Sequence, residues 1–193
     1  EPVANRLVEA LKRLEYRGYD SAGIATLTEK GLDRRRAEGK LGNLAERLSA
    51  DPVDGLIGIG HTRWATHGGA TERNAHPHMT GRVAVVHNGI IENFRELLDN
   101  LALEGYSAQS ETDTESVALW ITRAIDKGAT PEEAVAALLP ELRGMFGLVF
   151  LFADHPDLLI AARQGSPLAI GHGEKEMYLG SDAYALAPFT NQI

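Results

Sequence analysis

Strand-like and helix-like stretches follow one another in blocks along this chain, and that order limits the fold more than any single motif does. A helix is expected over 2–16, where Val3, Leu7, Ala10, Leu11 and Leu14 recur at helical spacing, ending at the turn-rich Tyr16-Arg17-Gly18-Tyr19-Asp20. Strands are expected over 22–27 and 32–37, paired as a hairpin across Glu29-Lys30-Gly31, then a short helix over 41–48 and a short strand over 56–60. An apolar strand over 83–87, stopped by Asn88-Gly89, precedes a helix over 92–103. Thr112-Asp113-Thr114-Glu115 reads as a capping box opening a helix that runs to about Lys127 and is closed by Gly128. Thr130-Pro131-Glu132-Glu133 opens another by the same device. From Met145 onward, apolar runs at 146–152, 158–162, 168–170 and 177–179 alternate with turn residues and suggest an antiparallel meander. Because strand–helix–strand never recurs as a unit, the expectation is an α+β layered domain with antiparallel sheets packed against helices. A chain of 193 residues suits one such domain.

One stretch departs from both periodicities. His61-Thr62-Arg63-Trp64-Ala65-Thr66-His67-Gly68 packs imidazoles, a guanidinium, an indole and hydroxyls between two glycines, which reads as a loop that closes on something. Asn88-Gly89 is open to two readings. It is the strongest short hairpin signal, yet a helix rather than a returning strand is expected next. A carboxamide beside a glycine N–H is also a competent pair of donors for an oxyanion. Arg63 and Asp113 could grip the carboxylate and ammonium ends of a free amino acid, although an acidic residue in a first helical turn also serves the helix dipole.

The seven histidines, with His76-Pro77-His78 closely spaced and His61 and His67 upstream, invite a metal reading. No H-E-x-x-H or matching carboxylate spacing supports it, so no metal is expected. Neither glycine-rich phosphate motif occurs, and Gly165-Ser166-Pro167 lacks the second glycine of a serine-nucleophile elbow. A net charge of −8 argues against nucleic acid, and Arg34-Arg35-Arg36 reads as the solvated face of a strand. No apolar run approaches a membrane span, no signal peptide is visible, and a cytoplasmic setting is expected. The sequence contains no cysteine, which excludes disulfides, thiolate metal sites and a cysteine nucleophile within these residues.

Six motifs in order carry a resemblance that spans essentially the whole chain: Tyr16–Gly23, His61–Gly68, Asn74–His78, His87–Asn93, Ser110–Glu115 and Gly165–Leu168. Together they resemble the glutaminase (class II glutamine amidotransferase) domain of the glucosamine-6-phosphate synthases. The resemblance implies a four-layer αββα sandwich of the N-terminal nucleophile hydrolase type. It implies that L-glutamine is hydrolysed to glutamate and that ammonia passes to fructose 6-phosphate, giving glucosamine 6-phosphate without a cofactor.

By residue, the resemblance implies that Asn88 and Gly89 form the oxyanion hole and that Arg63 and Asp113 hold the glutamine α-carboxylate and α-ammonium. Thr66 and His67 would line the same pocket, and the segment 63–80 would be a lid in which Trp64 gates ammonia. The nucleophile in that family is an N-terminal cysteine, which these residues lack. The chain is therefore expected to be a glutaminase domain truncated at both ends, without the sugar-phosphate isomerase domain, inactive alone, from a homo-oligomeric parent. Two alternatives remain: the glutaminase of another class II amidotransferase, and a catalytically silent glutamine-binding or regulatory module.

Overall fold

The structure is a computed structural model that describes residues 2–193. Helix α1 (Ala4–Lys12) ends one turn earlier than its apolar spacing suggests, and a 3-10 turn (Glu15–Arg17) follows. Strands β1 (Ser21–Thr28) and β2 (Gly31–Glu38) form the expected hairpin, and β3 (Ile57–Arg63) adds to the other edge of β1, giving the antiparallel order β2-β1-β3. Between them lies α2 (Leu41–Ala50). The second sheet has the order β4-β5-β6-β7, all antiparallel, from β4 (His78–Met79), β5 (Val83–Ile91), β6 (Gly144–Phe152) and β7 (Leu159–Gln164). Helices α3 (Phe94–Leu103), α4 (Thr114–Asp126) and α5 (Pro131–Leu138) fall between β5 and β6.

Period-two alternation distributes these strands among layers. Along β6, Phe146, Leu148, Phe150 and Phe152 face α4 and α5, packing with Val117, Ile121, Val135 and Leu138. The intervening Val149 and Leu151 face the first sheet, where Ala25, Leu27 and Ile59 meet Ala84 and Val86. On the far side of the first sheet, Ile24 packs on α1 and α2 through Val8, Leu11, Leu41 and Leu44. The result is a four-layer αββα sandwich. Burial of apolar surface in these three clusters favours the folded state by about 25 cal/mol per Å² removed from water. No described helix is long and apolar enough to cross a membrane.

Four local expectations give way to longer-range contacts. β5 does not stop at Asn88-Gly89 but continues to Ile91, with Asn88 opposite Gly147 and Gly89 opposite Phe146. Gly89 has φ +122°, and a Cβ there would lie 2.0 Å from the Met145 carbonyl oxygen, so this glycine serves close strand approach rather than a hairpin turn. The capping box at 112–115 does not form: the Thr112 hydroxyl bonds His78 Nε2 at 2.8 Å, and the Glu115 carboxylate accepts from the Gln109 and Ser110 N–H groups. The one at Thr130 does form, with Glu133 N–H donating to Thr130 Oγ1 at 3.2 Å and Thr130 N–H to Glu133 Oε2 at 2.9 Å.

The meander also breaks after β7, since β8 (Ala169–His172) and β9 (Met177–Gly180) make a separate two-stranded sheet followed by α6 (Ala183–Leu186). Finally, Arg34 and Arg36 are not a solvated face. Arg34 donates to the Pro77 carbonyl at 3.0 Å, and Arg36 to those of Arg73 and Ala75 at 3.0 and 2.8 Å. Only Arg35 turns the other way, to Asp33 and Asp51.

Candidate functional site

A cavity of about 650 Å³ lies between α1, the free edge of β3, the strands β5–β7 and the β8–β9 hairpin. Its apolar wall includes Leu7, Leu14, Ile57, Val149, Leu159 and Leu168. Its polar wall includes Arg63, Trp64, Thr66, His67, Asn88, Gly89 and Asp113, so every residue singled out from the sequence as a site residue reaches the same cavity.

The His61–Gly68 stretch is only half a loop. His61, Thr62 and Arg63 are the last residues of β3, paired with Gly23, Ala22 and Ser21. Beyond Arg63 the chain leaves the sheet, and the buried guanidinium follows it: Nη1 donates to the Gly69 carbonyl at 2.9 Å, Nη2 to those of His67 at 2.5 Å and Gly68 at 3.3 Å. Burial lowers the Arg63 pKa, while Asp20, Asp113 and Glu111 oppose the shift. Further along the loop, Asn74 donates to Gly69 O and Glu111 Oε2 and accepts from Glu111 N–H. At its start, Ala65 N–H donates to Asp20 Oδ2 at 2.9 Å. Trp64 stands 60% exposed, edge-on to Tyr19 at 5.8 Å between ring centroids. Thr66 is exposed, and the His67 ring meets Phe94 edge-on at 5.2 Å.

Asp113 occupies the N-cap position of α4 without capping it. Its Oδ2 instead accepts the Ile91 N–H at 2.8 Å, which ties the carboxylate to the end of β5, two residues past Gly89. Asp113 is buried, and no ion pair joins it to Arg63 among the described residues. Two opposite charges thus face one cavity while holding different partners. A ligand bearing an anion and a cation at either end suits such a pair.

Behind Asn88 lies a buried layer of four histidines. His61 Nε2 and Asn88 Oδ1 are 2.9 Å apart. The His61 and His76 rings lie 4.4 Å apart, and His76 and His78 4.9 Å. His76 Nε2 and His87 Nδ1 both reach Thr114 Oγ1, at 2.8 and 3.0 Å. Burial pushes His61 down to about 4 and His78 to about 3, and holds His76 well below the ordinary imidazole value. His87 is lowered by the same cause, with the Asp113 carboxylate opposing it. Buried imidazoles this depressed are neutral near pH 7. No group of three or more histidine, aspartate or glutamate side chains among the described residues is placed to hold a metal ion.

The sequence profile of a family described as a glutamine amidotransferase domain matches residues 61–188. The chain belongs to this family. The amidotransferase domain is 66% identical over all 193 residues to a glutamine–fructose-6-phosphate aminotransferase (isomerizing) of Brucella suis biovar 1 (strain 1330). It is 63% identical over the same length to one of Rhizobium meliloti (strain 1021). In each case it spans 32% of the relative's length, so about a third of those proteins is compared.

Among solved structures, a glutamine phosphoribosylpyrophosphate amidotransferase of B. subtilis, complexed with ADP and GMP, superposes with a TM-score of 0.83 at 24% identity. The match covers 97% of this chain and 41% of that one. The αββα sandwich expected of an N-terminal nucleophile amidotransferase is therefore the fold observed.

Sequence reasoning missed one layer of this amidotransferase domain. The sequence reads the histidines as loop residues or metal ligands, whereas His76, His78 and His87 hydrogen-bond Thr112 and Thr114 and His61 packs on His76, forming one buried wall. The available signal was placement: His87 continues an apolar run after Val83–Val86, where a polar side chain is buried and therefore needs a partner.

Proposed function

We propose that this domain is the glutaminase part of a glucosamine-6-phosphate synthase, which hydrolyses L-glutamine and supplies ammonia to fructose 6-phosphate. The observation that carries the reading is the convergence of Arg63, Asp113 and Asn88-Gly89 on one cavity in a chain 60–66% identical to such aminotransferases. Arg63 binds the α-carboxylate and Asp113 the α-ammonium, leaving the carboxamide to reach Asn88 and Gly89. Thr66 and His67 close the cavity from the lid, and Trp64 stands at its rim. No cofactor is needed, because amide hydrolysis requires only a nucleophile, a proton carrier and an anion site.

The nucleophile is a cysteine thiolate from outside these 193 residues, which contain none. The thiolate adds to the carboxamide carbon, and the oxygen takes up the negative charge opposite the Asn88 and Gly89 donors. The C–N bond then breaks with a proton passed to the departing ammonia, and water hydrolyses the thioester to glutamate. The cavity beside the edge of β3 that is unpaired among the described residues suits an extended segment delivering that residue: one of its walls is apolar, and an open strand edge offers N–H and C=O groups for pairing.

The test is glutamate release by the product of the complete gene, with and without a glutamine-directed thiol alkylator and with fructose 6-phosphate as acceptor. Stoichiometric labelling with loss of glutaminase and formation of glucosamine 6-phosphate is the expected result. Glutamine binding without glutamate release would overturn it in favour of a silent binding module. Glutaminase activity that ignores fructose 6-phosphate would assign another class II amidotransferase.

A further inference from the structure

We propose that His61 is a positioning residue, which turns the Asn88 carboxamide so that its N–H₂ group faces the cavity. The proposal rests on the glutaminase reading above and concerns how its oxyanion donor is held. His61 stands on β3 and Asn88 on β5, in different sheets, so the 2.9 Å contact between Nε2 and Oδ1 bridges the two layers of the sandwich. His61 is buried, whereas Asn88 is open to the cavity.

A neutral imidazole has two tautomers, and they send the amide opposite ways. With the proton on Nδ1, the Nε2 lone pair would draw the Asn88 N–H₂ toward itself and leave Oδ1 facing the cavity, an acceptor where an oxyanion needs a donor. With the proton on Nε2, His61 donates to Oδ1 and the N–H₂ faces outward. The other ring nitrogen bears on the choice. No group meets hydrogen-bond geometry at the buried His61 Nδ1, although the His87 backbone lies near enough to the ring to favour its protonated form. A proton there would be an orphaned buried donor, which is rarer and costlier than an unmatched lone pair. The 2.9 Å approach of Asn88 Oδ1, an acceptor, to Nε2 assigns the proton to Nε2.

The ring is held for this task by its neighbours. His76 packs against it at 4.4 Å with a 39° tilt and is itself tied to Thr114, which also holds His87. The Asn88 backbone is held separately, through the Ser166 hydroxyl donating to its carbonyl at 3.3 Å. Orientation of the side chain thus falls to His61 alone among the contacts described for it.

The experiment is a double-mutant cycle in the protein from the complete gene, following glutamate release from glutamine. His61→Phe should lower kcat about a hundredfold, the scale of losing one oxyanion donor, with KM within about threefold of wild type. His61→Gln, whose amide can donate to the same oxygen, should recover about tenfold of that loss. In an Asn88→Ala background, His61→Phe should cost less than about twofold more, because the group it orients is gone. A His61→Phe rate within about threefold of wild type overturns the proposal, and so do losses that multiply in the double variant. If His61→Phe does not fold, the His61→Gln and Asn88→Ala pair carries the same cycle. A wild-type protein that releases no glutamate would instead overturn the glutaminase reading, and this proposal with it.

Discussion

Four histidines held neutral in the interior make the domain's stability sensitive to mild acid. In the unfolded chain each imidazole titrates near 6.5, whereas His61 and His78 in the fold titrate near 4 and 3. Between those values the unfolded state binds protons that the folded state refuses, so stability is present above pH 6.5 and is lost as pH falls. At pH 5, well above both folded values, each of these two histidines takes away ~2 kcal/mol relative to pH 8, ~4 kcal/mol together. His76 and His87 shift in the same direction and add to the loss. Against a typical stability of ~5–15 kcal/mol, this is a large share.

The carboxylates held below their ordinary range, Glu104, Glu111, Glu176 and Asp182, act at lower pH and do not compensate in this window. Urea unfolding at pH 8 and pH 5 measures the difference directly. His78→Gln, which keeps a neutral partner for Thr112, should flatten it by ~2 kcal/mol. An unfolding free energy that changes by less than ~1 kcal/mol between the two pH values would refute the reasoning, since it would mean that the imidazoles accept protons in the fold.

Other expected outcomes concern the site and the strands that carry it. Asn88→Ala in the active parent should lower kcat for glutamine hydrolysis by about 10²–10³ with little change in KM, measured by glutamate release. Asp113→Asn keeps an oxygen for the Ile91 N–H but loses the charge, so KM for glutamine should rise at least about tenfold while the melting temperature moves little. Gly89→Ala places a methyl against the Met145 carbonyl at a φ that disfavours it, and should cost at least ~3 kcal/mol by urea unfolding. Arg36→Met removes two bonds to the carbonyls of Arg73 and Ala75, and faster amide exchange over 73–77 should report it.

How much could be read from the sequence depended on whether the deciding partner was near or far. The β1–β2 hairpin and the Thr130 capping box were legible because each is settled within a few residues. Thr112 carries an equally good capping signal, yet its hydroxyl is taken by His78, a partner no local window contains. Asn88-Gly89 signals a turn locally, but pairing with Gly147 and Phe146 carries the strand through it. The arginine run at 34–36 looked solvated because its carbonyl partners come from the separate segment 73–77. At the site, residue chemistry suggested Arg63 and Asp113 as a pair and Asn88-Gly89 as donors, but only the resemblance joined them in one pocket. The histidine wall went unseen because its logic is mutual burial, which spacing does not encode.

The three carbonyls gathered by Arg63 have a consequence for selectivity. These bonds use three of the five guanidinium N–H groups, so under the proposed reading an anion meets the remaining donors or competes with the carbonyls for the engaged ones. A carboxylate can win that competition, because a charge-assisted bond is worth ~1.5–3 kcal/mol against ~0.5–1.5 kcal/mol for a neutral one. An α-amide or a peptide-bound glutamine offers only another neutral carbonyl and gains little by displacing those of His67, Gly68 and Gly69. Discrimination between free and peptide-borne glutamine then falls to the difference between a charged and a neutral acceptor at Arg63, set against carbonyls the loop already presents there.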